Sequence, residues 1–210
     1  MSYLRLKDYY EACLDAHGPT HKGVDWPDEA SMRTRFDVMA SCFDWTDTPL
    51  DILDVGCGPG FFLDYLTSHA PAPNLRYHGV DISPAMVRAA QQRRPDGQFE
   101  ARDLIENPLA PGSVDYAVLN GVFTVRAGMS VAEAADFAAS LLSAVFPACR
   151  RGLAVNFMAP HADWQDDKLF YLPFDEAARL FKTKLSRHFT FRSDYGLWEY
   201  TAFVFQGPTL

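Results

Sequence analysis

Three aspartates follow one another along the first half of this chain, and each can accept hydrogen bonds from a bound ligand. Asp54 precedes a loop rich in glycine, whereas Asp81 and Asp103 close the next two short apolar runs. Glycines let a backbone approach a ligand closely and present its N–H groups. The loop residues predicted to contact the ligand are Gly56, Cys57, Gly58 and Gly60. These residue types predict one ligand site built from a glycine-rich loop and three carboxylates.

The glycine spacing argues against a dinucleotide. A dinucleotide fingerprint reads Gly-x-Gly-x-x-Gly, but Phe61 stands at its sixth position here. The carboxylate of Asp54 at the head of the loop suits a ligand that carries an ammonium group and would repel a pyrophosphate. We assign Cys57 backbone contact alone, because no spacing ties a histidine to it and a small buried cysteine is the commoner role.

The next two strand ends suit a nucleoside. Asp81 is placed to accept both ribose hydroxyls, and Asp103 to accept from an adenine amino group. Ile82 and Met86 would sandwich the ring. A nucleoside that also bears an ammonium group describes S-adenosylmethionine.

Short apolar runs that alternate with amphipathic segments must position these residues, and they predict an α/β fold with a parallel sheet. The predicted strands cover residues 51–55, 76–81, 98–102, 114–119 and 152–157, with helices near 60–68, 84–93 and 130–147. A helix over 174–184 and an antiparallel pair of strands, 187–192 and 198–205, should follow. Two amphipathic helices, 2–16 and 28–43, precede the sheet, and Pro27 is expected in the first turn of the second.

Four segments resemble, in order and spacing, the successive motifs of class I S-adenosylmethionine-dependent methyltransferases. They are Leu53 to Gly60, Val80 to Ala85, Arg102 to Leu104 and Val114 to Gly121. The resemblance implies a three-layer Rossmann-like sheet of seven strands whose last strand is antiparallel, with S-adenosylmethionine across the strand ends. It adds Leu104 to the predicted cofactor contacts.

The resemblance also divides the chain into an N-terminal helical lid or cap, residues 1–45, and a methyltransferase domain, residues 46–210. Pre-core helices in this family cover the cofactor, so Tyr9, Trp26 and Arg35 become candidates for the methionine end or the lid. Asn120 follows the fourth strand, where it would touch the cofactor or the methyl acceptor, although an asparagine there also caps a strand end.

Methyl transfer asks a protein mainly to align an acceptor oxygen or nitrogen with the cofactor and to exclude water. If the acceptor must lose a proton, His161 and His188 are the candidate bases, with Asn120 as a further catalytic candidate. The alternative is a non-catalytic sensor of S-adenosylmethionine or a partner subunit. Aminopropyl transfer would want an acidic pocket after the fourth strand, and residues 119–125 offer none.

Composition and charge limit the kinds of molecule that this protein is expected to bind. The 210 residues carry a net charge of −8, which would repel a phosphate backbone, and the absence of prolines after Asn120 also argues against nucleic-acid methylation. A small-molecule acceptor is therefore expected, with protein acceptors left open. No metal site is predicted, since His17 and His21 lie in a loose Gly-Pro loop. The chain shows neither a secretory signal nor an uninterrupted apolar stretch, so we expect a cytoplasmic protein, monomeric or homodimeric, without membrane contact.

Overall fold

A computed structural model describes residues 2–46, 49–69 and 75–209 of the chain. In these residues seven strands form one mixed sheet. The strands are β1 Leu50–Val55, β2 Leu75–Asp81, β3 Gln98–Ala101, β4 Val114–Leu119, β5 Cys149–Met158, β6 His188–Arg192 and β7 Glu199–Phe205. The helices are α1 Leu4–His17, α2 Glu29–Ala40, α3 Phe61–His69, α4 Pro84–Arg93, α5 Val131–Val145 and α6 Phe174–Lys184. Strand and helix types agree with the predicted pattern.

The strand order is β3-β2-β1-β4-β5-β7-β6, with β1 to β5 parallel and β7 antiparallel to both of its neighbours. The predicted seven-stranded sheet with an antiparallel last strand is confirmed. The chain leaves β1 toward one edge of the sheet and returns to place β4 on its other side. The carboxyl ends of β1 and β4 therefore flank the crevice where open α/β sheets bind ligands.

Local side chains set where the helices begin. Asp28 caps α2 by accepting a hydrogen bond of 2.6 Å from the backbone N–H of Ser31, and Ser83 caps α4 in the same way. Ser130 and Glu133 form a reciprocal capping box at the start of α5. Pro27 precedes the cap of α2, so the expectation that it lies in the first helical turn is wrong. The side chain of Asp28, which can cap where proline cannot, defines the start instead.

Both faces of the sheet are covered by apolar side chains. The predicted apolar stripe is largely confirmed, since Phe36 and Met39 on α2 and Phe43 just beyond it are buried while Met32 is half-buried. The helix itself ends at Ala40, so the predicted extension to residue 43 is wrong; the chain turns at Ser41, whose hydroxyl donates to the carbonyl oxygen of Val38. Helix α5 continues through a short 3-10 turn to Ala148, and the segment Val131–Ala148 is long and apolar enough to cross a membrane by length and composition alone. Its buried residues belong to the core cluster under the sheet, which accounts for that composition.

Candidate active site

The glycine loop turns sharply between β1 and α3 because its backbone is tied to the neighbouring strand. The N–H groups of Gly56 and Cys57 donate to the carbonyl oxygen of Val80 at 2.7 and 3.2 Å. Gly56 has φ +71°, and a Cβ there would lie 2.8 Å from the Val122 side chain. Only glycine fits this combination of left-handed backbone and close approach. Cys57 is buried, as predicted, and burial raises its thiol pKa well above the usual value.

Asp81 is held by backbone donors on both sides. Its two carboxylate oxygens accept hydrogen bonds of 2.9 Å from the N–H of Gly58 and 2.8 Å from the N–H of Ser83. Burial raises the pKa of Asp81 to about 6 despite these two donors. Each oxygen keeps a free lone pair, so the carboxylate can still accept two ligand hydroxyls.

Asp103 is shared with the N-terminal helix. One carboxylate oxygen accepts from the Tyr3 hydroxyl at 2.7 Å, and the other accepts from the N–H of Ile105 at 2.9 Å. The Tyr3 ring stacks on Phe137 with 5.1 Å between ring centroids. A second tie joins the same helix to the segment after β2, since Ser83 donates to Glu11 at 2.6 Å. Helix α1 is thereby fixed across the strand ends.

Asp54 is almost fully buried on β1 and accepts a hydrogen bond of 2.5 Å from the Tyr77 hydroxyl. Burial raises its pKa to about 7, and the nearby charge of Asp81 acts in the same direction. A cation placed beside these two carboxylates would favour their ionised forms. The prediction that Asp54 anchors an ammonium group is consistent with this electrostatic setting.

One cavity brings most of the predicted site residues together beneath α1. The predicted residues in its lining are Trp26, Asp54, Gly56, Cys57, Gly58, Asp81, Ile82, Met86, Asp103, Leu104 and Asn120. Residues that the sequence reasoning missed also line it, among them Tyr3, Leu6, Lys7 and Tyr10 on one face of α1. Their spacing of three, four and seven residues was the available signal, since it defines one helix face.

Several predicted residues lie outside the lining. The hydroxyl of Tyr9 donates to Asp25 at 2.6 Å, because Tyr9 lies one position off the lining face of α1 and Tyr10 takes the place expected for it. Gly60 instead supports packing, since a Cβ on it would lie 2.9 Å from the Phe99 ring. Arg35 lies behind Trp26, with its guanidinium carbon 5.4 Å from the indole centroid.

Neither predicted base reaches the cavity. His161 is exposed and stacks on Phe174 in the segment after β5, with 5.7 Å between centroids. His188 begins β6 opposite Phe205, which ends β7, and this register puts it at the amino-terminal edge of the parallel strands. The cavity lies at the carboxyl-terminal edge, so sheet topology excludes His188 from it.

The side-chain amide of Asn120 is placed to bind the amino-acid part of a ligand beside the glycine loop. Both polar atoms of this amide are buried without a hydrogen-bond partner among the described residues, and the side chain lines the cavity. A buried amide left unpaired is costly, so a ligand that supplies a donor and an acceptor would satisfy it. The α-ammonium and carboxylate of an amino acid supply both. With the glycine cradle and three carboxylates, the residues fit S-adenosylmethionine.

Fold and site together define a Rossmann-like methyltransferase domain, and comparison with known proteins agrees. Residues 52–145 match the methyltransferase domain family. A putative methyltransferase of Mycobacterium tuberculosis is 34% identical over 161 residues, which cover 74% of this chain and 93% of that protein. The chain belongs to the class I S-adenosylmethionine-dependent methyltransferases, and its cofactor is S-adenosylmethionine.

Two further matches either have a lower sequence identity or cover less of this chain. The crystal structure of magnesium protoporphyrin IX methyltransferase from Synechocystis superposes with a TM-score of 0.71, covering 99% of this chain and 98% of that one at 17% identity. An 18S rRNA (guanine-N(7))-methyltransferase of Bos taurus is 36% identical over 73 residues, 34% of this chain and 25% of that protein. In the described residues, no cluster of three histidine, cysteine or acidic side chains is arranged to hold a metal.

Proposed function

We propose that this methyltransferase acts on an oxygen or nitrogen of a small-molecule acceptor by in-line displacement at the sulfonium methyl. The observation that carries the proposal is the cavity that runs from the three aspartates to the unpaired amide of Asn120. S-adenosylmethionine, when bound, supplies an already activated methyl group. The residues of this chain are therefore needed to bind, orient and exclude water rather than to form covalent bonds.

Each part of the cavity has a defined task in this proposal. Asp81 and Asp103 orient the ribose and the adenine, with Ile82 and Met86 against the ring. Asn120 and Asp54 hold the amino-acid end, which fixes the direction of the methyl group. Helix α1 closes the site from above and limits access of water.

The acceptor is expected to offer its own lone pair. His161 and His188, the two bases expected from the sequence, lie away from the cavity, and this favours a carboxylate oxygen or a neutral amine over an alcohol that needs deprotonation. Names among the structural neighbours support a small-molecule acceptor, including that of 1,6-didemethyltoxoflavin-N1-methyltransferase of Burkholderia thailandensis. A monomeric or homodimeric cytoplasmic enzyme without nucleic-acid or membrane partners remains our prediction.

Calorimetric titration with S-adenosylhomocysteine tests the cofactor role, with NAD as the negative ligand and Asp81→Ala as the variant. We expect the unaltered protein to bind S-adenosylhomocysteine and the Asp81→Ala variant to lose this binding. NAD should give no binding heat. Acceptor libraries of carboxylates and amines are then screened for S-adenosylhomocysteine release. Binding with no turnover on any acceptor would favour the sensor alternative, whereas absence of binding would remove the cofactor assignment to this cavity.

A further inference from the structure

A buried chain of hydrogen bonds lies behind the cavity wall at the end of β4. Glu199, only 2% exposed at the start of β7, accepts from the Arg35 guanidinium at 2.9 Å and from the Asn156 amide at 3.2 Å. The Asn156 side-chain oxygen in turn accepts from the N–H of Gly121 at 2.8 Å. The hydroxyl of Tyr195 also donates to Glu199, at 3.4 Å. The chain of contacts links the last strand of the sheet to the segment that carries Asn120.

The carboxylate of Glu199 determines which way the Asn156 amide points. An ionised carboxylate only accepts hydrogen bonds, so it selects the NH₂ end of the amide. The amide oxygen is then left facing Gly121, whose N–H needs an acceptor. An amide at position 199 could donate as well as accept, and Asn156 could then turn its NH₂ toward Gly121, where two donors would meet. The negative charge of Glu199 thus preserves the hydrogen bond that the backbone N–H of Gly121 donates to the Asn156 side-chain oxygen.

A second arm runs through Arg35. Its guanidinium lies over the Trp26 indole, and the indole nitrogen lies 3.2 Å from the position of a Cβ on Gly121. Gly121 has φ +77° and can approach the indole because it lacks a side chain. Trp26 and Gly121 both line the cavity, next to Asn120. Both arms from Glu199 therefore converge on the same part of the wall.

We infer that Glu199 is a positioning residue for the methyltransferase site, acting through Asn156 and Arg35 to set the Gly121 backbone and the Trp26 indole. It does not line the cavity itself. A buried ion pair contributes little net stability, because desolvation offsets the attraction, so its value here is the geometry that it imposes. The inference rests on the proposed function only for the choice of S-adenosylhomocysteine as the ligand.

The test compares Glu199→Gln with Asp115→Asn. Asp115 is also a buried carboxylate paired with an arginine, Arg150. It lies near the start of β4, at the amino-terminal ends of the parallel strands, and the cavity lies at their carboxyl-terminal ends. We expect Glu199→Gln to speed hydrogen exchange of the Gly121 amide and to weaken S-adenosylhomocysteine binding about tenfold, a typical coupling between linked sites. Asp115→Asn should lower thermal stability while leaving both readouts within about twofold of the unaltered protein.

A variant at Asn156 keeps the inference testable if Glu199→Gln folds poorly. Asn156→Ala removes the acceptor for Gly121 directly and should reproduce both effects, and combining it with Glu199→Gln should add little further loss of affinity. Unchanged Gly121 exchange and unchanged affinity in both folded variants would overturn the inference. If the unaltered protein does not bind S-adenosylhomocysteine, the cofactor assignment fails, whereas Gly121 exchange in the free protein still decides the role of Glu199.

Discussion

Backbone donors orient two of the three carboxylates of the candidate site, Asp81 and Asp103, before any ligand arrives. Asp81 is the clearest case, because the N–H groups of Gly58 and Ser83 hold one oxygen each. A charged acceptor held in this way needs no reorganisation when two ligand hydroxyls approach. The same two donors tie the glycine loop to the start of α4, so one side chain couples two segments that line the cavity.

Replacing Asp81 by asparagine should weaken S-adenosylhomocysteine binding roughly 10- to 100-fold, since a hydrogen bond to a charged group contributes about 1.5–3 kcal/mol. The amide can accept only through its oxygen, so one backbone donor or one ribose hydroxyl loses its partner. Calorimetry measures the change. Asp96→Asn is the matched control, because Asp96 pairs with Arg94 on the surface. Equal affinities of the two variants would contradict the role of Asp81.

Cofactor affinity should depend on pH through the same carboxylates. Burial raises the pKa of Asp54 to about 7 and that of Asp81 to about 6 in the free protein, so both are partly protonated near pH 6. Ligand donors favour the ionised forms, and binding should therefore release protons below these values. We expect affinity to rise about tenfold from pH 5.5 to 7.5 and to level off above pH 8. Calorimetry in buffers of different ionisation enthalpy counts the protons, and Asp54→Asn should flatten the profile.

The stability of the free protein should show the opposite trend. Both carboxyls have pKa values raised above the unfolded value, so the folded state holds protons that the unfolded chain has already released. Stability therefore falls as pH rises from about 4 through 7 as far as these groups contribute. Asp54→Asn should lessen this fall in thermal melts of the free protein. A melt profile identical to that of the unaltered protein would contradict the burial argument for Asp54.

Among the secondary-structure elements, α1 is joined to the candidate site by two side-chain hydrogen bonds. Tyr3, at the N-cap of the helix, and Glu11, at its middle, bond to Asp103 and Ser83, which follow β3 and β2. The cavity-facing residues recur with helical spacing from Tyr3 to Tyr10, so the first half of α1 forms one wall of the cavity. The two hydrogen bonds of Tyr3 and Glu11 therefore hold α1 against the strand ends.

Tyr3→Phe should speed ligand release. The substitution keeps the ring stacked on Phe137 but removes the hydroxyl that donates to Asp103. A hydrogen bond to a charged group contributes about 1.5–3 kcal/mol, so the dissociation rate of S-adenosylhomocysteine should increase roughly 10- to 100-fold in stopped-flow experiments. Tyr9→Phe removes a similar hydroxyl bond, to Asp25, outside the cavity. An increase of the same size in that control would show that general loosening of α1, rather than the Asp103 contact, sets the rate.

For the molecule as a whole, sheet topology and net charge define what the site can reach. The strand order brings the ends of β1, β2, β3 and β4 to one edge, where three carboxylates meet. The net charge of −8 repels polyanions over most of the surface. These two features together favour a compact acceptor that enters the cavity over a long nucleic acid that tracks the surface.

A labelled RNA of about 20 nucleotides should bind this protein with a Kd weaker than about 100 μM at 150 mM salt, because few phosphates can be neutralised. Fluorescence anisotropy measures the RNA affinity. Calorimetric titration of the same preparation with S-adenosylhomocysteine confirms that the protein is active in binding. Micromolar RNA affinity that falls steeply with salt would instead favour a nucleic-acid acceptor, as in the relative that methylates rRNA.

Short motifs, each local in the chain, were sufficient to predict most of the fold and most of the residues that line the candidate site. Asp54 to Gly60 and Asp81 are each fixed by a strand, a turn and a helix start within about ten residues, and Asp103 follows the end of β3 at the start of a turn, so short-range patterns suffice to locate them. Parallel strands then bring those ends to one edge, which is why three separate motifs predicted one cavity.

Contacts between distant segments were decided by tertiary packing alone. Tyr3 meets Asp103 across 100 positions, and Arg35 meets Glu199 across 164. No periodicity relates such pairs, because their approach depends on how helices outside the sheet are placed against it. His188 shows the same principle in reverse: its residue type suggested a base, but the register of an antiparallel strand carried it to the opposite edge. Residue type and spacing therefore predicted the cofactor and the carboxylates that line the cavity, whereas packing determined which other side chains complete the wall and support it from behind.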